Sequence, residues 1–156
     1  CFATWAYHAN ELIGRNKKLA QVGLRISGKT REHWEKTCDV RQFWMDEVKE
    51  SSAERIAQEI IENFERANVK GIYISNDIDG TDPKFASATG TPEPGGLQPQ
   101  MVASLICALG ERFEVWGSDL VEVAPVLVGT QDNDPEQTLR TAAMYIETQA
   151  RVSLRT

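Results

Sequence analysis

Gly71-Ile72-Tyr73-Ile74-Ser75-Asn76-Asp77-Ile78-Asp79-Gly80-Thr81-Asp82-Pro83 runs from a short apolar segment into an acidic turn. The β-branched and aromatic residues at 72–74 read as a buried strand. Two residues apart on such a strand, Asp77 and Asp79 should leave by the same face, with Cα atoms roughly 6.5 to 7 Å apart. Two carboxylates so placed repel unless a cation lies between them, and hard divalent ions bound through oxygen suit that role. A solvated Asp-rich turn reads the same residues with no ion at all. The next two segments decide between these readings.

Phe85-Ala86-Ser87-Ala88-Thr89-Gly90-Thr91-Pro92-Glu93-Pro94-Gly95-Gly96-Leu97 is a long loop, poor in apolar anchors and rich in Gly, Pro, Ser and Thr. Loops of this kind carry function on a rigid scaffold. Val115-Trp116-Gly117-Ser118-Asp119-Leu120-Val121-Glu122-Val123-Ala124-Pro125 then predicts a second strand that ends in a carboxylate, Glu122.

Outward from these segments the chain alternates strands and helices. A strand is expected over residues 18–25, a short helical or irregular stretch over 32–37, and a brief strand over 42–45. Ser51-Ser52-Ala53-Glu54 has the spacing of a capping box. Ile56, Ile60 and Phe64 follow at four-residue steps, predicting a helix to about Asn68 with one buried face. Pro99 sits early in a helix whose apolar face includes Val102, Leu105, Ile106 and Leu109, with Gly110 suited to its C-cap. Asp134-Pro135-Glu136-Gln137 supplies an N-cap, a proline at the first helical position and a glutamine at the third. A last helix passes through Leu139, Ala142, Ala143 and Ile146. This order predicts an α/β fold: three layers, a parallel sheet with helices on both faces. Ligands of such sheets bind at the carboxyl ends of the strands, where Asp77, Asp79 and Glu122 all fall.

The three segments together resemble the ureohydrolase family of arginases, agmatinases and related guanidino hydrolases. Residues 75–83 are similar to its Ser-aromatic-Asp-hydrophobic-Asp motif and residues 89–97 to its Thr-Gly-Thr-Pro…Gly-Gly-Leu loop. Residues 119–125 resemble its Asp-x-x-Glu-x-x-Pro strand end. The likeness runs from about residue 19 to the C-terminus.

The resemblance implies an arginase-like fold and a centre of two Mn(II) ions, with Asp77 bridging both and Asp79 holding one. Ions about 3.5 to 4 Å apart need shared carboxylates to offset their repulsion, and they generate hydroxide at neutral pH. By the same resemblance Glu122 holds the planar guanidinium and Thr91 stands beside the reacting centre. Asp119 looks like a residue that supports the ligands, and Asp82 starts a turn. Each has a plainer reading: a strand-end Glu facing solvent, or a turn Thr bonded locally.

Members of the family also carry a histidine and an Asp-x-His-x-Asp cluster in their N-terminal half. This sequence has only His8 and His33, no such cluster, and begins at Cys1. The expectation is therefore a partial domain, residues 1–156 forming the C-terminal portion with the N-terminal metal-binding half absent. Such a piece would not complete the binuclear centre unaided. Counting back from Gly23-Leu24-Arg25 does not place His8 at the family's substrate-contacting histidine. His33 precedes Trp34 in a charged stretch, and the tryptophans read as packing residues.

Two positions depart from the family pattern. Asn76 stands where an aromatic is usual, and Ser87-Ala88 replaces Pro-Gly or Pro-Ala, which should loosen the loop. After Gly23-Leu24-Arg25 come Ile26-Ser27-Gly28-Lys29, with no carboxylate to read an α-amino group. That favours agmatine or a guanidino acid over L-arginine. Arginase activity, hydrolysis of a formimino group and a non-catalytic subunit are the alternatives.

Composition agrees with one modest core. The 156 residues carry a formal net charge of −6, which speaks against a nucleic-acid surface and suits a small cationic guanidino substrate. No apolar run approaches a membrane span. Cys1, Cys38 and Cys107 lack metal-finger spacing and are odd in number. A cytoplasmic protein is expected, assembling when intact as a homo-oligomer, a trimer or hexamer as the family does.

Overall fold

The computed structural model describes residues 4–127, 132 and 134–154, so Cys1 lies outside the described residues. In chain order the elements are α1 (Trp5–Leu12), β1 (Ala20–Leu24), α2 (Arg31–Cys38), β2 (Arg41–Trp44), α3 (Met45–Lys49), α4 (Ala53–Arg66) and β3 (Gly71–Asp77). A 3-10 turn (Ile78–Gly80), α5 (Pro99–Arg112), β4 (Glu114–Val121) and α6 (Glu136–Ser153) complete them. The expected α/β class holds, and every described strand pair is parallel. The pairing is β1 with β2 and β3 with β4.

Local chemistry explains most boundaries. Thr30 caps α2 by accepting the His33 N–H at 3.3 Å. The α4 cap is Ser52, which accepts from Arg55 N–H at 3.2 Å, so the helix starts one residue later than a Ser51–Glu54 box would place it. Ile56, Ile60 and Phe64 form its buried face as their spacing predicts. Pro99 opens α5 at N1. Gly110, expected as a C-cap, lies inside α5, which runs on to Arg112. Its role is close approach: a Cβ there would stand 2.5 Å from Val152 Cβ on α6. Pro135 occupies the N-cap of α6 and the helix begins at Glu136, one residue later than expected. Asp134 still acts as the capping acceptor, taking the Thr138 N–H at 3.0 Å. The face α6 buries is Thr138, Ala142, Tyr145 and Val152, while Leu139 and Ile146 are exposed.

Helices α4, α5 and α6 share one core with β3 and β4, built around Ile56, Phe64, Ile72, Leu105, Val115 and Tyr145. The opposite face of the β3–β4 pair is open, with Tyr73 63% and Trp116 67% exposed. None of the described helices is long and apolar enough to cross a membrane.

Candidate functional site

Ile78, wholly buried, separates Asp77 from Asp79 and turns the chain at the end of β3. Burying such a side chain contributes about 2 kcal/mol, enough to fix where its neighbours point. Asp77 Oδ1 accepts the Asp79 N–H at 2.9 Å. The expectation of two acids on one strand face is therefore corrected: Asp77 is the last residue of β3, and Asp79 belongs to the 3-10 turn that Asp77 caps.

Asp79 is held on both oxygens. The Thr91 hydroxyl and the Thr91 N–H (3.2 Å) donate to Oδ2. The Thr89 hydroxyl lies between Asp79 Oδ1 and the Glu122 carbonyl oxygen, 2.8 Å from the latter, and its single proton can serve either. Glu122 follows β4 with φ of +63°, a left-handed conformation uncommon for Glu. Its Oε2 lies 3.4 Å from where a side chain on Gly90 would begin. The long loop thus brings Thr89, Gly90 and Thr91 between the two strand ends.

That loop is anchored, against the expectation that Ser87-Ala88 would loosen it. Ala86, Ser87, Ala88 and Thr89 are all buried. Ala88 N–H donates to Thr138 Oγ1 at 3.0 Å, Thr141 Oγ1 donates to Phe85 O at 2.8 Å, and Ser87 Oγ bonds Asp134. Thr81, just after the acidic turn, shares a 2.8 Å hydrogen bond with Tyr145 OH in the core. Helix α6 therefore supports both sides of the site.

Arg25 reaches the site from the end of β1. Its guanidinium donates to Asp79 O at 2.6 Å and Gly80 O at 3.0 Å. Gly96 leaves room for it, since a Cβ there would meet the guanidinium and lie 2.6 Å from Asp82 N. Asp119 serves the open sheet face, accepting from Tyr73 OH and Ser75 Oγ at 2.9 Å each. Asp82 caps its own turn through Lys84 N–H (3.0 Å) and takes Gly95 N–H (2.9 Å). His8 is exposed on α1, edge-on to Tyr7, and His33 is exposed on α2 beside Trp34.

Desolvation, and then the charges of Asp79 and Glu122, raise the Asp77 carboxyl above the usual carboxylate range. The Asp79 N–H bond and the Arg25 guanidinium act in the lowering direction. The site so gathers three carboxylates against one guanidinium. Among the described residues no group of three or more His, Cys, Asp or Glu side chains converges closely enough to hold a metal ion. The donor chemistry nevertheless fits part of a hard-ion shell: Asp77 has one oxygen free of the turn bond, whereas an octahedral oxygen shell needs six donors.

Arg25 and Thr89 had not stood out in the sequence as site residues. A cation at the end of a strand that leads toward an acidic turn was the available signal for Arg25. Thr89 opens the Thr-Gly-Thr-Pro motif, but nothing local gave it a role of its own.

Residues 2–150 match the sequence model described as Arginase family. Guanidinobutyrase of Pseudomonas aeruginosa is 37% identical over 112 residues, 69% of this chain and 33% of that protein. Hepatic arginase of Aquarana catesbeiana is 36% identical over 130 residues, 83% of this chain and 40% of that protein. The crystal structure of proclavaminate amidino hydrolase from Streptomyces clavuligerus superposes with a TM-score of 0.72 at 28% identity, over 94% of this chain and 48% of that one. The chain spans less than half the length of each of these relatives.

Proposed function

The chain belongs to the arginase family, and on that premise we propose that it forms the C-terminal portion of a metal-dependent hydrolase cleaving a guanidino compound to urea and an amine. The observation that supports this best is the meeting of Asp77, Asp79, Thr91 and Glu122 at the carboxyl ends of parallel strands, where α/β sheets bind ligands.

Asp77 and Asp79 would hold two Mn(II) ions together with ligands from the portion of the domain that this chain does not span. When bound, such a pair supplies Lewis acidity and hydroxide at neutral pH. Thr91 fixes the Asp79 carboxylate from two donors, so that it does not reorient when charge changes beside it. The Glu122 carboxylate offers two oxygens to the planar N–H fork of a guanidinium, a charge-assisted match. Its own left-handed backbone turns it out of β4 toward the loop. Thr91 thereby positions Asp79, and Glu122 would orient the substrate guanidinium.

Residues 26–29 hold no carboxylate, and Ile26 is 74% exposed. This supports a substrate without an α-amino group, agmatine or a guanidino acid, over L-arginine. The similarity to a guanidinobutyrase points the same way. The intact protein would work in the cytoplasm as a trimer or hexamer.

The test is urea release from agmatine, 4-guanidinobutyrate and L-arginine by the intact polypeptide, with and without manganese. Manganese-dependent urea is expected from one of the first two, and Asp79→Asn should reduce it at least a thousandfold, on the order of 4 kcal/mol of lost transition-state stabilisation. Full activity in that variant would overturn the assignment. A non-catalytic subunit is favoured by one observation, the buried Asn76 amide nitrogen that has no hydrogen-bond partner. Absence of manganese binding in the intact protein would establish that reading instead.

A further inference from the structure

Thr89 has one hydroxyl proton and two acceptors for it. Its hydroxyl bonds Asp79 Oδ1 on one side and stands 2.8 Å from the Glu122 carbonyl oxygen on the other. The residue is 3% exposed, so bulk water does not relieve the competition. A β-branched side chain has few χ1 choices, which keeps the hydroxyl between the two oxygens. Whichever acceptor is without the proton faces an oxygen lone pair instead.

The acceptors belong to different parts of the site. Asp79 lies in the turn after β3, and its Oδ2 has donors of its own in the Thr91 hydroxyl and N–H. Glu122 follows β4 with φ of +63°, a conformation that an L side chain keeps only when its surroundings hold it. The long loop supplies the holds. They are the Thr89 hydroxyl at Glu122 O and, two residues on, the Ala124 N–H bond to Ala88 O at 3.0 Å.

Charge decides where the proton goes. A hydrogen bond to an ionised carboxylate is about twice as strong as one between neutral groups. While the Asp79 charge stands uncompensated, the Thr89 proton therefore stays on Asp79. Compensating that charge with a cation removes the advantage, and Glu122 O is the acceptor already within reach.

We propose that Thr89 is a positioning residue that makes the Glu122 strand end answer to the charge state of Asp79. With Asp79 compensated, the hydroxyl turns its proton to the Glu122 carbonyl and fixes the backbone that carries the guanidinium-facing carboxylate. With Asp79 uncompensated, that backbone is released. Substrate thus meets an ordered Glu122 only in the loaded protein. The inference rests on the proposed roles of Asp79 as ion ligand and Glu122 as guanidinium acceptor.

The experiment is amide hydrogen exchange, read by mass spectrometry on the intact polypeptide, across residues 121–124 with and without manganese. In the parent, manganese should slow exchange there at least threefold. Thr89→Val keeps the shape and removes the proton. It should match the manganese-free parent and show no slowing when manganese is added. Thr89→Ser restores the hydroxyl and should restore most of the slowing. Asp79→Asn removes the competing charge and should slow the same amides with no manganese present, a comparison that holds even if the Val variant fails to fold. In turnover of agmatine at saturating manganese, Thr89→Val should raise KM about tenfold while kcat changes less than threefold. A merely structural threonine would give faster exchange in Thr89→Val under both conditions, with the manganese effect intact, and that result would overturn the proposal. So would exchange in Asp79→Asn equal to that of the manganese-free parent. An intact parent that binds no manganese counts against the proposed function, and the Asp79→Asn comparison then still decides whether Thr89 links the two strand ends.

Discussion

The Tyr145–Thr81 hydrogen bond gives the sharpest test of how the core supports the acidic turn. Tyr145 is fully buried and Thr81 is 2% exposed, and their hydroxyls meet at 2.8 Å. Desolvation pushes the phenol up to about 12, against the Thr81 bond, which lowers it. The proton is therefore in place throughout the working pH range. Tyr145→Phe leaves the Thr81 hydroxyl buried and unpartnered, a penalty of about 1 to 3 kcal/mol. Thr81→Val does the same to the phenol. Removing both partners leaves no orphan, so the double variant should be less destabilised than the sum of the two, with a coupling of about 1 to 2 kcal/mol. Urea unfolding reads this directly: with a slope of about 2 kcal/mol per molar, a 2 kcal/mol loss moves the midpoint by about 1 M. Because the phenol does not ionise, the difference between Tyr145→Phe and the parent should stay constant from pH 5 to 9. Additive single variants, or a harmless Tyr145→Phe, would refute the argument that this bond fixes the turn.

Gly110→Ala should lower stability by up to about 2 kcal/mol in the same assay. Overpacking against buried Val152 costs about 1 to 3 kcal/mol and outweighs the gain of about 1 kcal/mol in helix propensity. Asp134→Ala should cost about 1 kcal/mol as a lost helix cap. Burial acts to raise the Asp134 carboxyl, but hydrogen bonds from Ser87 and Thr138 outweigh it and leave it lowered. A depressed carboxylate stabilises above its unfolded value of about 3.9 and loses that contribution as pH falls through the folded value. The parent and the Asp134→Ala variant should therefore converge in unfolding midpoint below about pH 4. Arg25→Met strips the donors from Asp79 O and Gly80 O and should destabilise by about 2 kcal/mol, with faster amide exchange across residues 78–82.

The sequence was most legible where the determinants are local. The three motifs, the parallel α/β order and the buried face of α4 follow from spacing and residue type. Ser51-Ser52 offers two caps in succession, and only the fold shows that Ser52 takes the role. Helix α1 carries no side-chain cap bond at Thr4 to announce it, and so went unread. Gly110 looked like a helix stop because its reason for being glycine, Val152, lies on another helix. The acidic pair was found by its composition, yet its geometry depended on Ile78 burying between the two carboxylates. Ser87-Ala88 promised a loose loop since its restraints come from Asp134, Thr138 and Thr141, far along the chain.

The reach of Arg25 bears on where such a polypeptide can be cut. A chain shortened to begin after Arg25 would keep all three motif segments, both aspartates and Glu122, and would still be recognised by any search for those residues. It would nonetheless remove the donors to Asp79 O and Gly80 O. Gene fragments of this kind should therefore be judged by whether the Gly23-Leu24-Arg25 strand end is retained, not by the presence of the acidic motifs alone.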